Sequence, residues 1–120
     1  MENIPVIDLA EALNRSMGDA SFLRMMLDEL CNIVPEFMTR IQNAYQTQNM
    51  EELSKDAHQF KGAAANLGAK AIAAAALKLE QIGKSGNPEG GDEALTELKQ
   101  AIEDFNQKVT QIDWETIPKT

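Results

Sequence analysis

Between residues 20 and 48 an apolar side chain returns every third or fourth position, at Leu23, Leu27, Leu30, Val34, Phe37, Ile41 and Ala44. This spacing follows the 3.6-residue turn of an α-helix, so these side chains share one stripe that has to be buried. The same period recurs at Leu53, Ala57, Phe60, Ala64 and Leu67, and again at Leu95, Leu98, Ile102, Phe105, Val109 and Ile112. No strand-like alternation interrupts it, and alanine, leucine, glutamate, lysine and glutamine fill the long segments. The chain reads as all-α.

Capping residues divide the pattern. Asp8 can cap a short helix through about Ser16, and Gly18-Asp19 supplies a break and the next cap. The second helix then runs from about Ala20 to Gln48, with Pro35 in its middle predicting a kink or a division into two. Asn49 caps a third helix of about Met50 to Leu67, which Gly68 ends as a left-handed residue. A fourth, about Ala69 to Lys84, follows at once, so the two form a tight antiparallel hairpin whose alanines let the axes approach near the turn. Residues 85–91 are the clear loop, and a last helix covers about Asp92 to Ile112. Trp114 is expected to clip the end of the bundle, with a frayed tail over 115–120. The expectation is a single domain: an antiparallel four-helix bundle over about 20–112, with a short additional N-terminal helix over about 8–16 as a lid.

Composition excludes several classes of function. The net charge of −8 argues against nucleic acid or an anionic membrane as partner, because phosphate contacts need clustered cations. No run approaches the ~20 apolar residues needed to cross a bilayer, and no basic stretch followed by an apolar one opens the sequence, so a cytoplasmic monomer is expected. Cys31, the single cysteine, reads as a small core residue in a reducing compartment. Charge is unevenly spread. Residues 51–86 hold five lysines against four carboxylates, so this segment carries +1 and the remainder −9.

The single histidine lies in that segment, in the run His58-Gln59-Phe60-Lys61-Gly62-Ala63-Ala64-Ala65-Asn66-Leu67-Gly68. On a helix His58 projects roughly 140° from the centre of the apolar stripe and faces solvent, whereas a core histidine would have to fall on the stripe. Lys61 and Gly62 lie three and four residues on, on the same face. The lysine can reach a dianion carried on the ring, and the glycine removes a side chain that would hold another protein away. About ten residues back from the hairpin turn, His58 faces the level of Leu79 and Glu80 on the next helix. Glu80 can therefore accept from Nδ1–H and leave Nε2 as the outward nucleophile, or else stand solvated beside Lys84.

The run resembles the signature of the histidine-containing phosphotransfer (HPt) family of two-component phosphorelays: a histidine, two residues, Lys61-Gly62, small residues, then Leu67-Gly68. The likeness extends over roughly residues 7 to 112. Ile7-Asp8 through Ala12-Leu13, and Gly18-Asp19 before Phe22-Leu23, look like the family's first helix and the turn into its second; Leu79-Glu80 falls where the family tends to carry a Leu-Glu pair. The resemblance implies reversible exchange between His58 and the phospho-aspartate of receiver domains in response regulators and hybrid histidine kinases. It implies a carrier without an ATP-dependent kinase activity of its own, any magnesium belonging to the receiver. No cofactor or metal is expected: the sequence has no glycine-rich phosphate loop and no convincing carboxylate cluster.

Lys61 would screen the phosphoryl group, with Lys84 a further candidate. Gln59, Gly62 and Ala65 would meet the partner around the histidine. Phe22, Met25, Met26 and Ile33, partly off the buried stripe of the second helix, would either form an apolar docking patch or lie under the first helix. Two other readings stay open: a phosphoacceptor domain of a chemotaxis-type kinase, and a non-catalytic helical docking module in which His58 is incidental.

Overall fold

The computed structural model describes residues 5–114, as five helices with no strand among them. The tail expected at 115–120 lies outside the described residues. The helices are α1 (Leu9–Arg15), α2 (Ala20–Gln46), α3 (Met50–Asn66), α4 (Lys70–Ser85) and α5 (Gly91–Gln111). Helices α2 to α5 pack in sequence order, α5 returns to α2, and an elongated bundle of 47 × 29 × 20 Å results.

Local chemistry sets the helix starts. Asp8, Asp19 and Asn49 each accept a hydrogen bond from the backbone N–H three residues on, at Glu11, Phe22 and Glu52. These bonds satisfy amides that the first helical turn leaves free. The expected stripes supply the core. Leu23, Leu27, Leu30, Val34 and Ile41 of α2 meet Leu53, Ala57, Phe60 and Ala64 of α3, Ile72 and Leu79 of α4, and Leu98 and Phe105 of α5. Trp114 packs half-buried against this core with Arg24 over its ring, consistent with a clip, whereas Cys31 is only half-buried at the core's edge.

Two points left open by the sequence narrow. Helix α2 runs through Pro35 without dividing. Val34 and Ile41 are buried on either side of it, and Phe37 stacks on Phe60 with ring centroids 5.0 Å apart, so the same core holds both halves. Second, α1 does not cover the apolar excess of α2. It caps the α3–α4 turn: Asp8 N–H donates to the Gly68 carbonyl at 2.8 Å, Ala71 N–H donates to Pro5, and Lys70 reaches Glu11 at 2.8 Å. Gly68 has φ +71°, and a Cβ there would stand 2.7 Å from the Asp8 carbonyl oxygen, so this glycine both ends α3 and seats α1.

The α3–α4 hairpin is also tight far from its turn. A Cβ on Gly83 would lie 2.6 Å from the backbone nitrogen of Ser54. This close approach lies one turn beyond Glu80 on α4 and four residues before His58 on α3, next to the level of the histidine.

Candidate functional site around His58

Phe60 is fully buried, and its stack on Phe37 fixes the rotation of α3. His58, two residues earlier, is thereby turned outward with its side chain 66% exposed. Beneath it α4 presents Glu80, which is only 2% exposed. Glu80 Oε2 lies 3.0 Å from His58 Nδ1 and 3.0 Å from Lys84 Nζ, and Oε1 accepts from Lys61 Nζ at 2.6 Å. One buried carboxylate thus holds the histidine and two lysines.

The cluster keeps Glu80 ionised. The Lys61 hydrogen bond, opposed by burial and supported by Lys84 and His58, holds the Glu80 carboxyl down at about 2. An ionised carboxylate only accepts, so the neutral imidazole that contacts it carries its proton on Nδ1. The lone pair is then on Nε2, the nitrogen that Glu80 does not engage. Two lysines and one carboxylate leave a single excess positive charge beside the ring.

A family model described as the Hpt domain matches residues 22–108. The chain belongs to the Hpt domain family. Proteins of this family are histidine phosphotransfer carriers of phosphorelays, where they interact with receiver domains; they are not kinases. The fold is similar to the crystal structure of histidine-containing phosphotransfer protein B from Pseudomonas aeruginosa PAO1, with a TM-score of 0.79 and 19% sequence identity over 92% of this chain and 100% of that one. No curated protein matches the chain. No helix of the described residues is long and apolar enough to cross a membrane.

Of the site residues expected in this Hpt chain, His58, Lys61, Glu80 and Lys84 come together. Lys61 is 28% exposed and bonded to Glu80. Lys84, 67% exposed, shares with His58 the Oε2 atom of Glu80. Gln59, Gly62 and Ala65 are exposed, and nothing stands within 4 Å of a Cβ placed on Gly62, so the fold itself does not require that glycine. Phe22, Met25 and Ile33 are exposed on α2, whereas Met26 is half-buried in a small groove shared with Ala63 and Leu67 of α3. None of these α2 side chains touches the Glu80 cluster. Among the described residues no group of three or more His, Cys, Asp or Glu side chains could hold a metal ion.

The sequence reading missed Gly83, whose lack of a side chain draws α4 against α3. It also passed over Asp56, which is 6% exposed. Asp56 falls three residues after Leu53 and four before Phe60, at the edge of the buried arc, and that position was the available signal.

Proposed function

We propose that this Hpt chain is a phosphorelay intermediate that takes a phosphoryl group from the phospho-aspartate of one receiver domain onto His58 Nε2 and passes it to the aspartate of another. The observation that carries this reading is the contact of Glu80 with Nδ1 beneath an exposed ring. In the forward step the Nε2 lone pair forms the N–P bond as the P–O bond to the receiver's aspartate breaks, and that carboxylate departs with the bonding electrons. Nδ1 keeps its proton throughout. As the ring gains positive character on phosphorylation, the Glu80 carboxylate stabilises it. The lysines shared by Glu80 answer the phosphoryl charge, Lys84 from the more exposed side and Lys61 from beneath. Gly62 and Ala65 leave room for the receiver to bring its aspartate in line, and Phe22, Met25 and Met26 form its apolar footing.

The test is incubation with a panel of phosphorylated receivers and, separately, with the catalytic domain of a chemotaxis-type kinase plus ATP. Acid-labile label on His58 from receivers, returned to unphosphorylated receivers, is the expected result. Label only from the kinase domain assigns the chain instead to the kinase-linked class of phosphoacceptors. Absence of label from either overturns the carrier reading.

A further inference from the structure

Asp56 is a buried acid that the Glu80 cluster does not use. It lies one turn after Glu52 on the side of α3 that faces α2, more than nine-tenths buried. Its carboxylate accepts no hydrogen bond and forms no ion pair among the described residues. Burial, and then the charge of Glu52, push its carboxyl above the ordinary carboxylate range. Arg40 and Lys55 act on it only at longer range, Arg40 being bonded to Glu36 at 2.8 Å and Lys55 exposed.

The carboxylate lines a groove of about 500 Å³ between α2 and α3, whose wall also carries Glu52, the cations Arg40 and Lys55, and the polar side chains of Asn43, Thr47 and Gln59. Gln59 also lines the shallow groove beside His58, so the two depressions adjoin. A partner seated on His58 with a standard footprint of about 800 Å² covers a radius of roughly 16 Å, more than the ~10 Å width of a helix. A footprint of that size spans the outer face of α3, across Lys55 and Gln59, to the edge of the groove that Asp56 lines. Were the partner to present an apolar or acidic surface there, it would strip the last water from a carboxylate with nothing to replace it. A cation placed there is favoured for the same reason.

We propose that this groove is a specificity pocket for a lysine or arginine side chain of the receiver that docks on His58, with Asp56 as its anionic floor. The inference rests on the carrier reading for the identity of the partner, but the pocket can be probed separately. Agmatine, a small guanidinium and amine compound, is titrated into ¹⁵N-labelled protein; shifts are expected at Asn43, Thr47 and Gln59 and are lost in Asp56→Asn. With an accepted receiver, Asp56→Asn is expected to raise KM about tenfold with kcat unchanged. Labelling of His58 by phosphoramidate, a small donor that needs no docking, stays at the wild-type rate. Agmatine shifts that are absent, or that persist in Asp56→Asn, overturn the proposal. So does an unchanged KM with every accepted receiver, or Arg40 leaving Glu36 to occupy Asp56 itself while agmatine is silent. If no receiver labels His58, the carrier reading has failed, and agmatine alone decides whether the groove takes a guanidinium.

Discussion

The two seams of α3 keep a buried carboxylate in opposite conditions. Toward α4, Glu80 is engaged by His58, Lys61 and Lys84, and its carboxyl is held down at about 2. Toward α2, Asp56 is almost as buried, has no such partner, and its carboxyl is pushed up. Burial alone therefore does not set the charge of a carboxylate; the donors that replace water do. On the proposed function, the seam with Glu80 is where the nucleophile needs a fixed tautomer and a ready positive charge. The seam with α2 leaves Asp56 without a paired cation, which the proposed docking contact would supply.

The severest way to break the first seam is to remove its nucleophile. His58→Gln is expected to abolish label from any phosphorylated receiver while leaving the helical circular dichroism and thermal midpoint near wild type, since the ring is mostly exposed. Glu80→Gln comes next. It takes the negative charge from three groups at once and turns one of the two acceptor oxygens into a donor, and at about 1.5–3 kcal/mol for a hydrogen bond to a charged group, transfer should slow by roughly ten- to a hundredfold in rapid-quench measurements. An unaltered rate would mean that the tautomer needs no support from α4.

Gly83→Ala attacks the same seam without touching a charge. The added methyl meets the backbone of Ser54 rather than a flexible side-chain end, so α4 has to move away from α3. Urea unfolding should register a loss of about 1–3 kcal/mol, the usual cost of overpacking, accompanied by a slower His58 reaction. Stability lost with transfer unchanged would separate the helix spacing from the Glu80 contact.

The gentlest comparison uses pH. Glu80 has a folded pKa of about 2 against an ordinary 4.5, so its stabilisation is complete above pH 4.5 and is lost as pH falls toward 2. Asp56 has a folded pKa above the ordinary 3.8, so its penalty is absent below pH 3.8 and grows as pH rises. Denaturation across pH should show Glu80→Gln less stable than wild type at pH 7, the gap closing from pH 4.5 downward. Asp56→Asn should be more stable at pH 7, by about 1 kcal/mol, with that gap closing toward pH 3.8. Two gaps of the same sign would erase the contrast between the seams.

Much of this was legible in the sequence where the determining chemistry is local. Asp8, Asp19 and Asn49 cap as expected because a side chain three residues from an amide needs no tertiary context. The facing of His58 and Glu80 could be counted because Gly68 ends α3 so abruptly that the two helices share one register. Other features depend on what lies across the helix. Pro35 does not divide α2, since core contacts on both sides outweigh the missing backbone bond. Lys61 points to Glu80 because a carboxylate dehydrated by the hairpin draws in a second cation, and the depth of Glu80 is a property of the Gly83 approach. The seat of α1 on the hairpin turn, rather than over Phe22 and Met25, rests on Lys70 and the Gly68 carbonyl, which no periodicity encodes.

The most direct test of the account is ¹⁵N NMR of His58, before and after transfer from a phosphorylated receiver. The account requires a neutral ring protonated at Nδ1, with a coupling or shift to Glu80 that disappears in Glu80→Gln, and a phosphoryl group bonded to Nε2 afterwards. A resting ring protonated at Nε2, or a phosphoryl group on Nδ1, would contradict it.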